Sequence, residues 1–266
     1  MGKTAVLYLS RKGNPAEWTG GFLDSFLSHA AGAEHSLVFV LKGYAEGETD
    51  PVLAARRKEL AQAPEEWRVG DDIFPIGVWF RAAAALDLFE RIVCLNSQSR
   101  ILAGGWLGKL LNPFERSANC GAVGATGSFE GLAPDEFPNI HLRTTGFAVD
   151  RRLFLSLAPG EQVTKYDGNL FEAGPQGFTR QLQQRGLAPL VVDRPGKAWA
   201  AEDWPASRTF RSGAQEGLLI ADNRTRDYAI AGLAKRRKLA RLAFGAAGQA
   251  EASPLWDRWA ARKRFY

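Results

Sequence analysis

This chain of 266 residues has only two cysteines, three histidines and one methionine. The two cysteines, Cys94 and Cys120, cannot build a disulfide framework or an all-cysteine zinc site. The histidines are too scattered to suggest a metal site; they are His29, His35 and His141. The lack of a disulfide framework is typical of a reducing compartment, and we expect the protein in the cytoplasm.

Long apolar runs are missing as well. No stretch approaches the ~20 apolar residues that a membrane helix requires. Residues 5–9 are apolar, but this run is too short for the core of a secretion signal and lacks a small-residue cleavage site. Because 45% of the residues are hydrophobic and no repeat or low-complexity tract is present, the sequence predicts a globular protein with a sizeable core.

Positive charge is unevenly distributed. The formal net charge is +5, yet residues 224–266 hold eleven Lys or Arg against three Asp or Glu. The rest of the chain therefore carries a small negative surplus, which argues against a nucleic-acid-binding surface. The basic tail suits an anionic membrane or another acidic partner, and a solvated basic helix is the alternative.

Short apolar segments alternate with stretches of helical periodicity, which predicts an α/β fold with a mostly parallel sheet and helices on both faces. The alternation weakens beyond residue 199. We therefore divide the chain into a domain of residues 1–212 and a basic helical appendage of residues 213–266. The main expected strands are 5–9, 37–41, 91–95 and 190–192, and the main expected helices are 52–61, 80–89, 178–185, 213–244 and 254–264.

Two polar stretches stand out between these elements. Residues 96–100 directly follow the expected strand 91–95, and open α/β sheets bind ligands at the carboxyl ends of their strands. Residues 164–177 form a second polar stretch, which we expect to be a loop before the helix 178–185. Both stretches are candidates for lining a ligand cleft.

Several segments together resemble bacterial glycosyltransferases with the GT-A fold, of the family 2 type that is often associated with surface polysaccharide synthesis. The resemblance covers roughly residues 5–245. It rests on the order and spacing of residues 95–102 with Trp106 and Leu107, 123–128, 138–145, 171–174 with Thr179, Arg180 and Gly186, and 203–225. It implies a GT-A-like sheet with a C-terminal helical appendage.

The resemblance implies a donor site at the ends of the first strands, where the base and ribose of a nucleotide lie. Ser10, Arg11 and Asp72 are the candidates there. For Asp72 a solvated turn or a helix cap is the alternative role. The donor would be a nucleotide diphosphate sugar.

The loop 96–100 lies where GT-A enzymes carry an Asp-X-Asp motif that holds a divalent ion. Here the loop offers Asn96, Ser97 and Gln98, which can bind a ribose but bring no negative charge. The resemblance thus leaves at most a weakly bound Mn²⁺ or Mg²⁺ as cofactor. Arg100 or Arg143 would supply positive charge to the diphosphate instead.

For catalysis the resemblance places a carboxylate base at Glu172, with Asp167 and Asp203 as alternatives. In an inverting transfer this base removes the acceptor hydroxyl proton. A structural role for Glu172, as a glutamate in the first turn of a helix, is the other interpretation.

Three further residues complete the expected substrate site. Arg143, with Thr144 beside it, would bind the diphosphate or orient Glu172, unless it forms a purely structural ion pair. Trp204 would stack on a sugar ring, unless it belongs to the core.

The resemblance implies transfer of a sugar from a nucleotide diphosphate sugar to a glycan or lipid-linked acceptor, with inversion. The tail would hold the enzyme against the inner face of the membrane. A noncatalytic nucleotide-sugar-binding or scaffold protein is the alternative, since the Asp-X-Asp motif is missing. Another nucleotide-dependent transferase stays open too, because a fold does not fix its chemistry.

Overall fold

The structure is a computed structural model that describes residues 3–133, 136–160 and 162–249. The helix expected at residues 254–264 lies outside these ranges. Among the described residues, no helix is both long enough and apolar enough to cross a membrane.

The first half of the chain alternates strands and helices. Strands β1 and β2 are almost entirely buried, because helices cover both faces of the sheet that they form. The elements are β1 (Thr4–Arg11), α1 (Ala16–Ser28), β2 (Ser36–Lys42), α2 (Pro51–Arg56), β3 (Glu65–Val69), α3 (Pro75–Ala85) and β4 (Arg91–Leu95).

The second half adds shorter elements. They are β5 (Arg100–Ile101), α4 (Trp106–Arg116), β6 (Cys120–Gly124), β7 (Gly127–Ser128), β8 (His141–Leu142), β9 (Gly146–Asp150), α5 (Arg151–Leu155), α6 (Lys165–Ala173), α7 (Phe178–Gln184), β10 (Ala188–Val192), β11 (Ala198–Trp199), α8 (Trp204–Ser207), β12 (Ile220–Ala221), α9 (Asn223–Ile230) and α10 (Leu233–Phe244).

Eight strands form one mixed sheet in the order β11-β10-β6-β9-β4-β1-β2-β3. Strands β4, β1, β2 and β3 are parallel, whereas β9 is antiparallel to both of its neighbours, β4 and β6. The expected α/β class with a mostly parallel sheet flanked by helices is confirmed. The sequence does not predict β3, because its charged residues lack the apolar pattern of a buried strand. The structure places β3 at the edge of the sheet.

Apolar layers cover the two faces of the sheet. On one face Phe80 stacks on Phe154, with ring centroids 4.2 Å apart, and Phe171 packs nearby. On the other face Tyr8 stacks on Phe22 at 3.8 Å. The sheet is therefore enclosed by apolar residues on both of its faces.

The stretch 164–177 is not a loop, as we expected, because it contains α6. The Thr164 side chain accepts a hydrogen bond from the backbone N–H of Asp167, and the Asp167 carboxylate accepts one from the N–H of Thr164. This reciprocal capping starts a helix in a polar sequence. Glu172 consequently lies in the last turn of a helix, not in a loop and not in a first turn.

The described part of the expected appendage packs on the main sheet and its helices. Strand β12 pairs with β5, so that Ala221 lies opposite Arg100. Phe244 of α10 is buried, and its ring centroid lies 5.2 Å from that of Phe129. The boundary between residues 212 and 213 stays a prediction.

Candidate active site

The carboxyl ends of β1, β2, β3 and β4 meet at one edge of the sheet, and this carboxyl edge collects most of the predicted site residues. Because β9 runs antiparallel to β4, the start of β9 reaches the same edge. The backbone N–H of Asn96 donates to the carbonyl of Thr145 there, at 3.3 Å. The edge thus joins the loop 96–100 to residues 143–145.

Arg11 lies at the end of β1 and is fixed by Asp71. Its guanidinium donates to both Asp71 oxygens, at 2.8 and 2.7 Å, and Lys42 reaches the same carboxylate. Arg11 and then Lys42 hold the pKa of Asp71 well below its ordinary value. Sequence reasoning gave Asp71 no role, although the pair Asp71-Asp72 after a strand was its signal.

Ser10 and Asp72 differ in accessibility. Ser10 is buried, and its hydroxyl donates to Asp50 Oδ2 at 2.6 Å. Its side chain therefore does not line a cleft for a nucleotide, which corrects the expected donor contact. The Asp72 side chain is 66% exposed and lies 3.5 Å from Arg81 Nη2, so it remains open to a ligand.

The loop 96–100 is held by its own side chains. Asn96 Oδ1 accepts hydrogen bonds from the backbone N–H of Gln98, at 3.0 Å, and from the hydroxyl of Ser99, at 3.1 Å. The carbonyl of Ser97 accepts one from the Tyr8 hydroxyl at 2.8 Å. Gln98 Oε1 accepts a hydrogen bond from Arg226 Nη2 at 2.9 Å.

Arg100 holds helix α1 against this loop. Its guanidinium donates to the carbonyls of Glu17, at 2.9 Å, and of Trp18, at 3.1 Å. A Cβ on Gly21 would lie 2.4 Å from Arg100 Nε, so the absence of a side chain there admits the guanidinium. Arg100 therefore binds backbone carbonyls directly, and the diphosphate contact expected of it stays a prediction.

The loop does not fit a divalent cation. The oxygens of Asn96 and Gln98 already accept hydrogen bonds, and the guanidinium of Arg226 repels a second cation. Divalent ions of this kind prefer carboxylate oxygens. Within the described ranges, no group of three or more His, Cys, Asp or Glu side chains is placed to hold a metal.

Glu172 is partly buried and held by Thr144. Its Oε2 accepts hydrogen bonds from the backbone N–H and from the hydroxyl of Thr144, both at 2.6 Å. Burial by itself raises the pKa of Glu172, but the charges of Arg143 and His141, together with the Thr144 bonds, lower it below its ordinary value. Glu172 is therefore ionised at neutral pH.

The charge of Arg143 acts on both Glu172 and Asp222. Arg143 is buried, its Nη2 is 3.6 Å from Asp222 Oδ2, and its guanidinium lies 4.5 Å above the ring of Phe210. Burial raises the pKa of Asp222, yet Arg143 is the chief cause of a net lowering. Sequence reasoning included Asp222 in a matching segment but assigned it no role, because its partner is far away in the chain.

The remaining predicted residues lie outside this group. Trp204 is fully buried and its indole N–H donates to the carbonyl of Trp199 at 3.1 Å, so the expected stacking on a sugar ring is wrong. Asp167 caps α6, and Asp203 lies exposed just before α8. Neither carboxylate is bonded to the residues around Glu172.

A cavity of about 1020 Å³ lies at the opposite edge of the sheet. Its lining includes the amino end of β1, at Lys3 and Thr4, and of β4, at Arg91. The charged residues described above do not line it. The charged side chains gather at the carboxyl edge, and this edge is therefore the candidate active site.

No protein-family description matches this chain. None of the curated proteins matches it either. Solved structures do show similarity. One is mouse xyloside xylosyltransferase 1 in its apo form, 12% identical with a TM-score of 0.45, over 72% of this chain and 85% of that one.

Two others are similar at the same level. The mannosyltransferase PcManGT from Pyrobaculum calidifontis, in complex with GDP-Man and Mn²⁺, is 14% identical with a TM-score of 0.44, over 77% of this chain and 59% of that one. GalNAc-T7 with UDP, GalNAc and Mn²⁺ is 13% identical with a TM-score of 0.47, over 71% of this chain and 41% of that one. Such similarity carries no argument about what this chain binds.

Proposed function

We propose that the protein is a glycosyltransferase that moves a sugar from a nucleotide diphosphate sugar to a glycan or lipid-linked acceptor, with inversion. One observation carries the proposal: Glu172 is partly buried at the carboxyl edge of the sheet and is held there by two hydrogen bonds from Thr144, while the charge of Arg143 lowers its pKa. A carboxylate in this setting is suited to accept a proton. The type of reaction in this proposal is taken from the resemblance in sequence.

Glu172 acts as the base in this proposal. As the acceptor oxygen forms its bond to the anomeric carbon, its proton passes to the Glu172 carboxylate. The bond between the anomeric carbon and the diphosphate oxygen breaks on the opposite face, and the electron pair leaves with the nucleoside diphosphate. Thr144 orients the carboxylate, and the positive charge of Arg143 keeps it ionised until the acceptor arrives.

The donor nucleotide would lie over the ends of β1, β2 and β3. Asp72 is exposed there, and the paired Arg11 and Asp71 border the same place. Carboxylates of this kind accept hydrogen bonds from a ribose or a pyrimidine. Their position at the ends of parallel strands supports a nucleotide site.

Replacing Glu172 by Gln tests the base. The amide oxygen of Gln still accepts the Thr144 bonds but takes up no proton, so sugar transfer should fall by about 10²- to 10⁴-fold. Release of nucleoside diphosphate from a donor panel, with a lipid-linked glycan extract as acceptor, measures it. Asp167→Asn is the control and should keep transfer; full activity in a folded Glu172→Gln protein contradicts the mechanism.

We place the reaction at the inner face of the membrane, in surface polysaccharide synthesis, with the protein in the cytoplasm. Helix α10 supports this with an exposed surface of cations and leucines. Its exposed members are Leu233, Lys235, Arg237, Lys238, Arg241 and Leu242.

Charge reversal on α10 tests the membrane contact. Each cation near an anionic surface contributes about 1 kcal/mol, so the double variant Arg237→Glu, Lys238→Glu should bind vesicles with phosphatidylserine at least tenfold more weakly. Co-sedimentation at low salt measures this. Glu34→Lys and Glu46→Lys, on the other end of the chain, should not weaken binding. Equal binding of the α10 variant and the unchanged protein contradicts the membrane role.

A noncatalytic nucleotide-sugar-binding or scaffold protein is the second candidate. The observation that favours it is the loop 96–100, which has no carboxylate and uses the oxygens of Asn96 and Gln98 within the chain. It predicts binding of a nucleotide sugar without turnover. Donor consumption that disappears in Glu172→Gln excludes it.

A further inference from the structure

Most cations at the carboxyl edge form an ion pair with a carboxylate, although Arg11 and Lys42 share the single carboxylate of Asp71. A cation in such a pair is less available to a ligand. The pairs are Arg11 and Lys42 with Asp71, Lys12 with Glu48, and Arg143 with Asp222.

Arg226 and Arg100 are different, because their hydrogen-bond acceptors are neutral. Arg226 donates to the amide oxygen of Gln98 at 2.9 Å, and Arg100 donates to backbone carbonyls. Among the residues that the structure describes, neither forms an ion pair with Asp or Glu. The direct partners of these two positive charges at the end of β4 are thus neutral groups.

The two guanidinium groups are close enough to affect one another. Burial lowers the pKa of Arg100, the nearby Tyr8 opposes this, and the charge of Arg226 lowers it further. Asp24 is the acid that also acts on Arg100, and it is already bonded to Arg56 at 2.5 Å. Like charges brought together without a carboxylate are stabilised when an anion binds between or beside them.

The fold fixes this arrangement. Pairing of β5 with β12 places Ala221 opposite Arg100, and α9 begins two residues later. Arg226, in the first half of α9, therefore reaches the loop 96–100, and it remains partly exposed. Gln98 orients the guanidinium without neutralising it.

We propose that Arg226, supported by the charge of Arg100, binds the diphosphate group of the nucleotide donor without a metal ion. This rests on the proposed function and adds the residue that handles the leaving group. The planar guanidinium can donate two parallel hydrogen bonds to phosphate oxygens. As the bond from the anomeric carbon to the diphosphate breaks, Arg226 neutralises the charge that the diphosphate gains.

Binding in the absence of metal is the direct test. UDP, GDP and inorganic pyrophosphate are titrated into the full-length protein by calorimetry in EDTA. Arg226→Gln should weaken the binding of each diphosphate by about ten- to a hundredfold, since one charge-assisted pair is lost. Arg226→Lys should recover part of it. Arg152→Gln removes the same charge from the exposed side of α5, away from the carboxyl edge, and should leave binding unchanged.

The substitution Gln98→Glu tests the inference by adding a negative charge beside Arg226. A carboxylate at this position pairs with Arg226 and repels phosphate, so binding in EDTA should weaken although a potential metal ligand has been added. A Gln98→Glu protein that binds diphosphate in EDTA as tightly as the unchanged protein, or more tightly, overturns the inference. Thermal unfolding of each variant checks that the fold is intact.

The outcomes separate this inference from the proposed function. Sugar transfer that persists in Arg226→Gln with unchanged diphosphate binding overturns the role of Arg226 and leaves the glycosyltransferase intact. Pyrophosphate binding that needs Arg226, without binding of any nucleotide, supports the anion site and contradicts the proposed donor. Diphosphate binding that requires Mn²⁺ in the unchanged protein overturns the inference directly.

Discussion

At the scale of single residues, the site depends on how buried charges are balanced. Arg143 serves two carboxylates, Glu172 and Asp222, both of which have a lowered pKa despite their burial. Without Arg143, either carboxylate would be expensive to keep ionised away from water. Within the described part of the chain, the Nε of Arg143 and the Oδ2 of Asp222 are buried polar atoms without a hydrogen-bond partner, so the network is not fully satisfied.

These two carboxylates predict a loss of stability in acid. A lowered pKa in the folded state contributes stability above the ordinary values, 3.8 for Asp and 4.5 for Glu, and this contribution disappears as the pH falls through the folded values. The melting temperature should therefore drop as the pH falls below the ordinary values of 4.5 and 3.8.

Asp222→Asn isolates the effect. It leaves Arg143 without one partner, which should cost about 3 kcal/mol at pH 7, and it should flatten the decline in acid. Thermal unfolding across the pH range measures both quantities. A variant that loses stability in acid as steeply as the unchanged protein contradicts the role of Asp222.

At the scale of elements, the sequence predicts best where burial leaves a clear pattern. Strands β1, β2 and β4 follow from their apolar runs. Helix α6 was missed because its sequence is polar, although Thr164 and Asp167 have the spacing of a capping box. Trp204 shows a second limit of prediction from sequence. The sequence alone does not tell whether an aromatic residue faces a ligand or the core.

The packing of Trp204 predicts which glycine is sensitive. A Cβ on Gly127 would lie 2.3 Å from the Trp204 ring, whereas a Cβ on Gly104 would meet nothing within 4 Å. Gly127→Ala should therefore lower the free energy of unfolding by about 1–3 kcal/mol through overpacking. Urea unfolding measures it, with Gly104→Ala as the control. Equal midpoints for both variants would show that Trp204 does not press on β7.

At the scale of the whole molecule, the sequence predicts where the site lies better than how it is built. A polar loop after an apolar strand indicates the carboxyl edge, and the structure brings Asn96, Glu172 and Arg143 to that edge. Asp222 and Arg226 could not be found in this way. Their partners come from distant parts of the chain, and only the packing of α9 beside β5 unites them.

The central claim is that this fold binds a nucleotide diphosphate donor without a metal ion. Thermal unfolding of the full-length protein with UDP, GDP, dTDP and CMP, each in EDTA and in Mn²⁺, tests it most directly. At about a hundred times the Kd, one diphosphate should raise the melting temperature by about 5–10 °C in EDTA. No shift with any nucleotide, or a shift that appears only with Mn²⁺, would contradict the account.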